Sequence, residues 1–504
     1  MNRTKPISGE LLRLKDEIHQ YAIDYGLDFH PVVFEVCDYD TINILAAQGG
    51  FPSRYPHWRF GMEYDQLSKS YAYGLSKIYE MVINTDPVYA YLLKANNLLD
   101  QKLVMAHVYG HADFFKNNLW FKSTDRSMMD VMANHGTKIR KYMDKYGQDK
   151  VEDFVDKVLS LENLLDINVL FEDNSGRDKV PKDYKAMNEE LREQEEGDRS
   201  QALRSFMRSK IKSDKKNITD EVPEELPIEA PLDMRPDHIA PRDIMKYLIE
   251  FAPLQEWEAD ILGCLRDEAY YFLPQRMTKI MNEGWASYWH STILTQRALK
   301  SSEIIEFADK HSGVMAMSKQ NINPYKIGIE MMRDIEYRWN TGRFGKEYNE
   351  CTNMHDRENW HKDTGLGREK IFEVRKSHND ITFIDEFFTR EFCERQQLFT
   401  YKYNPRSGRF EIDNRDFEAI KQKLLSSLTN FGSPVIEVES GNFNNRGELH
   451  LVHRHQGVDL DMQFAAETMR NIYNLWKRPI NLSTTQEETQ ITFHFDGKEM
   501  KPLK

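Results

Sequence analysis

Residues 172–241 constrain the fold of this 504-residue chain most, because they cannot belong to a core. They run from an acidic stretch (Glu189-Glu190, Glu193, Glu195-Glu196) through Lys210, Lys212 and Lys215-Lys216 to a proline-spaced acidic end at Pro223, Pro227, Pro231 and Pro236. Such a segment cannot bury enough apolar surface to offset its chain entropy. It is expected to be a mobile insertion carrying one exposed helix around 185–210. Any compact body must be assembled from the stretches on either side of it.

Those stretches are helical in pattern. Apolar residues recur at helical spacing over 9–25, 64–82, 87–97, 100–117, 127–146 and 151–165, and again over 242–250, 256–272, 275–297, 301–310 and 324–341. Residues 31–37 form a β-branched run that reads as a strand. From about Asp385 the pattern changes to strands at 398–403, 410–412, 435–439, 448–455, 480–482 and 490–495, interleaved with helices at 415–428 and 460–476. The expectation is a mainly α fold. A helical domain is built from 1–171 and 242–384, interrupted by the 172–241 insertion, and a smaller C-terminal α+β module covers 385–504.

The 68 lysines and arginines against 81 aspartates and glutamates leave a formal charge of −13. A net acidic chain is poorly suited to nucleic acid or anionic membrane, which attract positive potential. Cys37, Cys264, Cys351 and Cys393 form no Cys-x-x-Cys pair, so neither a disulfide framework nor a thiolate zinc site is indicated. There is no signal-peptide apolar stretch at the start and no run of about 20 apolar residues. A cytoplasmic protein without a membrane span is expected.

His107 and His111 stand four residues apart in Ala106-His107-Val108-Tyr109-Gly110-His111. On a helix that spacing puts both imidazoles on one face, as in enzymes that present two nitrogens to one tetrahedral ion. The usual zincin motif has a Glu directly after the first His as general base; here Val108 holds that place. A second motif, Asn282-Glu283-Gly284-Trp285-Ala286-Ser287-Tyr288-Trp289-His290, puts Glu283 and His290 on one stripe of a helix, with Arg276 and Lys279 on the same line. Two histidines and a remote carboxylate make a metal set with an open position for water, so His107, His111 and Glu283 are the candidate ligands of a divalent metal, zinc first. His290 is read either as a fourth ligand or as a donor to a developing oxyanion, against the plainer role of a core histidine. Glu80, in the apolar stretch Ile78–Ile83, is the candidate general base because burial would raise its pKa; a surface glutamate is the competing reading. Glu268 and Tyr109 are weaker candidates. Asp113 points away from the pair, either orienting a neighbour or simply exposed. Arg54, His57, Trp58 and Arg59 fit a proline-rich loop packed on the helices better than a carboxylate-binding entrance. His453 and His455 share one strand face; His135, His311, His355 and His361 have no recognisable partner.

At these motifs the chain resembles the stage V sporulation protein R (SpoVR-like) family, bacterial proteins associated with formation of the spore cortex. The resemblance rests on Pro56-His57-Trp58-Arg59-Phe60-Gly61, Ile78 to Asn84, His107 to Phe115 with Lys116-Asn117-Asn118, Pro274 to Lys279 running into Asn282 to His290, and Asn323-Pro324-Tyr325. It covers the chain through Leu398. Separately, Glu283-Gly284-Trp285-Ala286 looks like the third-ligand helix of zincin-like peptidases. The ligand set, with Glu80 and His290 as catalytic residues, leads to the expectation of a zincin-like metal-dependent amide hydrolase, and the family's cortex association implies a peptidoglycan-related peptide or small amide as substrate. The alternatives are a non-catalytic assembly or regulatory protein with a structural metal, recruiting protein partners through the C-terminal module, and a di-metal redox protein using Glu80 and Glu268.

Overall fold

The computed structural model describes residues 4–72, 80–171, 242–317 and 322–503. The described residues up to Asp166 and from 242 onward cluster as one compact unit, while Ile167–Phe171, a 3-10 turn, falls in a second. The insertion expected over 172–241, with its helix, lies outside the described residues.

The first unit is mainly helical. It begins with β1 (Lys5–Pro6), α1 (Glu10–Asp24), β2 (Val32–Cys37), α2 (Tyr39–Ala47) and α3 (Trp58–Ala72). Strands β3 (Glu80–Ile83) and β4 (Val88–Leu93) lead into α4 (Leu98–Asn117), α5 (Met128–Tyr146) and α6 (Gln148–Leu159). Beyond the insertion come α7 (Ile244–Phe251), α8 (Glu256–Met277), α9 (Lys279–Ile293), α10 (Ile304–Val314), α11 (Pro324–Asn340), α12 (Gly367–Ser377) and α13 (Asp380–Phe387).

A four-stranded sheet, order β1-β2-β4-β3, was expected only at β2. The stretch 87–97, read as a helix, is β4, parallel to β2 and antiparallel to β3. Its Val-Tyr-Ala-Tyr-Leu-Leu run is buried at every position but Tyr89, so apolar residues face both sides and no two-residue alternation marks the strand. The expected helix over 64–82 likewise ends at Ala72, and Glu80 opens β3 opposite Leu92 instead of lying on a helix.

Helix α4 forms the centre. Asn97 caps it by accepting from the Asp100 N–H at 2.8 Å, and from Leu99 to Phe115 every residue except Leu103 is buried. Helix α9 lies between α4 and α11. Its N-terminus is closed by the buried Asp380 carboxylate, which accepts the N–H groups of Ile280 at 2.8 Å and Met281 at 2.9 Å. Glycines on both sides let the backbones meet. A β-carbon on Gly110 of α4 would stand 2.6 Å from Ala286 Cα, and one on Gly284 would strike the backbone of Gly328 in α11.

The break between α8 and α9 falls at Thr278, whose φ of −127° is not helical; the expected start of the second helix, just after Pro274, lies inside α8. Helix α8 runs through the proline, and the Thr278 hydroxyl donates to the Pro274 carbonyl at 2.8 Å. Arg276 therefore sits on α8 and is not on one helical stripe with Glu283, as the spacing alone implied.

A hairpin of β5 (Thr400–Asn404) and β6 (Arg409–Asn414) is followed by α14 (Phe417–Leu428), β7 (Ile436–Phe443), β8 (Glu448–His453), α15 (Met462–Trp476), β9 (Ile480–Gln486), β10 (Thr489–Phe495) and β11 (Met500–Pro502). The last five strands form one sheet, order β11-β10-β9-β8-β7. Parallel β8 and β9 are joined by α15, which buries Met469, Ile472, Leu475 and Trp476. The C-terminal part is thus the sheet-containing module read from the sequence.

Candidate metal centre

Helix α4 presents His107 and His111 from consecutive turns of a face packed on α9, with ring centroids 4.5 Å apart. Glu283, in the first turns of α9, meets them. Its Oε2 lies 3.5 Å from His107 Nε2 and 3.5 Å from His111 Nε2. These three side chains form the one group of candidate metal ligands among the described residues. Gly110 and Ala286 are what let the donors converge. Any larger residue at 110 would hold the helices apart.

Each ring is held from behind. His111 Nδ1 donates to Asn282 Oδ1 at 2.9 Å, which leaves its Nε2 as the lone-pair nitrogen facing Glu283. His107 Nδ1 is hydrogen-bonded to His290 Nδ1 at 2.8 Å, and His290 Nε2 to His311 Nδ1 at 3.3 Å. The acidic group beside the pair, Asp113, is fully buried; it accepts the Trp285 indole N–H and the Asp28 backbone N–H, both at 2.8 Å, and lies 3.4 Å from Arg375. It pins α9 to α4 one residue pair away from the donors.

Burial and electrostatics define the charge of the donor set. His107, His111 and His290 are all nearly inaccessible. Burial, reinforced by the neighbouring His107, pushes His111 down to about 4, and burial holds His290 well below the ordinary histidine range, so both rings are neutral at pH 7. Burial works to raise Glu283, but the His107 and His111 rings more than offset it and keep the carboxyl below its usual range, hence ionised. Imidazole nitrogens and a carboxylate are the donor types a divalent ion of borderline softness selects.

The structure brings His107, His111, Glu283 and His290 together and leaves the weaker candidates elsewhere. Glu268 pairs with Arg54 at 2.5 Å and with His135 Nδ1 at 3.2 Å, away from the three donors. Tyr109 packs against His19, Phe29 and Phe34. Val108 is fully buried. The Glu80 side chain lies outside the described residues. Arg54 is buried and Arg59 pairs with Glu162 at 3.1 Å; both line a cavity of about 480 Å³ together with Glu268 and Arg276. His453 Nδ1 is hydrogen-bonded to the Thr484 hydroxyl at 2.9 Å. Sequence reasoning missed two supports. Asn282 stood inside a quoted motif, and its place beside Glu283 was the available signal; nothing in the sequence linked His311 to His290.

Two buried histidines and a partly buried carboxylate between glycine-packed helices, in a chain that also carries a C-terminal sheet-containing module, define a helical protein with a candidate metal centre. The chain belongs to the SpoVR-like family: the family described as SpoVR like protein matches residues 7–433, and the SpoVR-like C-terminal domain matches 434–487. It is 29% identical over 500 residues to the Uncharacterized protein YcgB of Escherichia coli (strain K12), an alignment that covers 94% of this chain and 92% of that protein. No solved structure matches. No helix among the described residues is long and apolar enough to cross a membrane.

Proposed function

We propose that this SpoVR-like chain is a zincin-like metal-dependent amide hydrolase in which His107, His111 and Glu283 hold one divalent cation, zinc first. One observation carries the reading: a single Glu283 oxygen stands 3.5 Å from each of two imidazole Nε2 atoms. Donors about 2.05 Å from a tetrahedral ion are separated by roughly 3.4 Å, so the spacing is that of neighbouring ligands. When bound, such an ion polarises a carbonyl and makes water acidic enough to attack near neutral pH.

The chain's own residues supply the rest. Asn282 and His290 fix the two ligand rings, and Asp113 holds Trp285 so that Glu283 keeps its place on α9. His290 approaches His107 from its Nδ1 side, a position suited to supporting the ligand from behind. With Val108 in the core, the proton acceptor has to come from another element, and Glu80 at the start of β3 is the proposed base. The cortex association implied by the family resemblance favours a peptidoglycan-related peptide, or a small amide derived from one, as substrate.

A metal kept only for structure, in an assembly or regulatory protein of sporulation, is the second reading, and Val108 favours it. The two separate in one assay. Zinc-loaded protein is expected to cleave members of a panel of peptidoglycan-derived and simple peptide amides, with activity abolished by chelator and by His107→Ala. Zinc-loaded, folded protein that cleaves none of them supports the structural role and removes the hydrolase.

A further inference from the structure

The cavity of about 480 Å³ is lined by none of the metal donors, and its volume is that of a small-molecule site. Helices α2, α3, α6, α7 and α8 frame it. Ala46, Val158, Leu159, Leu265 and Phe272 give it apolar walls, and among the described residues three arginines and three glutamates supply its charge. Two of the arginines are already committed. Arg54, 8 % exposed, donates to Glu268 Oε2 at 2.5 Å and to the Gln48 carbonyl at 3.2 Å, while His135 holds Glu268 from its other oxygen. Arg59 pairs with Glu162 at 3.1 Å. The remaining glutamate, Glu63, is exposed on α3, where water solvates it.

Arg276, at the end of α8, is different. It is partly buried, and the described residues give it neither a hydrogen bond nor an ion pair; burial weighs against its charge, and Glu162 offsets only part of that. What holds it is a ring: its guanidinium carbon lies 4.4 Å from the centroid of Phe431. Phe431 takes a φ of 57° and Asn430 one of 46°, left-handed conformations that a bulky residue keeps only where its surroundings impose them. The turn after α14 thus braces one face of the guanidinium and leaves its N–H edges unused. A partly desolvated guanidinium in that state calls for an anion. One unpaired cation matches a single negative charge, and the apolar walls match a hydrophobic body. We propose that the cavity binds a small monocarboxylate with an apolar body, its head group held by the Arg276 guanidinium. The site is independent of the metal reading, since it uses neither the donors nor their supports.

The test is a ligand-detected NMR titration of the full chain with benzoate, 3-phenylpropionate and 4-phenylbutyrate, each beside its primary amide. EDTA is present throughout, so that no metal-bound carboxylate contributes. Carboxylates of this size are expected to bind with dissociation constants of about 1 mM, and their amides about tenfold or more weakly. Arg276→Gln removes the charge and is expected to cost about tenfold in carboxylate affinity. Ala269→Phe fills the space from α8 with the cation in place, and is expected to abolish binding. Circular dichroism checks that both variants are folded, and the comparison of acid with amide on wild type stands without either. No binding of any of the three carboxylates, amides that bind as tightly, or full affinity in folded Arg276→Gln or Ala269→Phe overturns the proposal. Tighter binding of phenyl phosphate than of benzoate overturns the choice of a monocarboxylate.

Discussion

Gly110 on α4 and Ala286 on α9 meet backbone to backbone: a β-carbon added to the glycine would stand 2.6 Å from Ala286 Cα. His107 and His111 flank that glycine, and Glu283 lies one turn before the alanine, so the contact sets the gap across which the donors face each other. Within a helix, Gly→Ala normally gains up to about 1 kcal/mol. Here the added methyl forces the helices apart, and overpacking costs about 1–3 kcal/mol. Gly110→Ala is therefore expected to lower unfolding stability in a urea titration and to weaken metal binding together. A variant more stable than wild type would refute the close approach.

Asn282 is the lone described partner of His111 Nδ1, and the bond leaves Nε2 with its lone pair toward Glu283. Asn282→Leu keeps the side-chain volume and removes the acceptor. Metal affinity should fall about 10- to 100-fold while circular dichroism and melting change little. Unchanged affinity would mean that the ring is oriented by packing alone.

The His135–Glu268–Arg54 cluster, away from the donors, makes a prediction about pH. Burial opposes protonation of His135, but its hydrogen bonds to Cys264 and Glu268 prevail and raise it to about 9. The folded protein thus binds this proton more tightly than the unfolded chain, whose histidine titrates near 6.5. The stabilisation is complete below about pH 6.5 and is lost as pH rises through 9. Unfolding free energies measured from pH 6 to 9.5 should decline for wild type, and His135→Gln should flatten that slope. Parallel pH profiles would place the titration elsewhere.

Much of the site was legible before any coordinates. The four-residue spacing of His107 and His111 reads as one helical face, and the Glu-Gly-Trp-Ala motif supplied Glu283. Helical repeats placed α1, α4, α5 and α11 to within a few residues of their ends. The sheet was hidden because β4 is buried on both faces and gives no alternation, so its apolar run resembles a helix. Glu80 was misplaced because Met81, Val82 and Ile83 after it are an unbroken apolar run, which likewise shows no alternation. Arg276 was drawn onto the Glu283 stripe because Thr278, an ordinary residue in sequence, is where the helix breaks. The His290–His311 contact depends on how α10 returns over α9, a tertiary fact without local periodicity.

The central claim is that one cation sits between the two α4 rings and the α9 carboxylate. Elemental analysis of purified protein after zinc loading and dialysis, run beside His111→Ala and Glu283→Gln, tests it most directly. The account predicts one equivalent of zinc in wild type and a small fraction of that in both variants, all three remaining folded by circular dichroism. Wild type without metal, or a His111→Ala protein that retains a full equivalent, would contradict it.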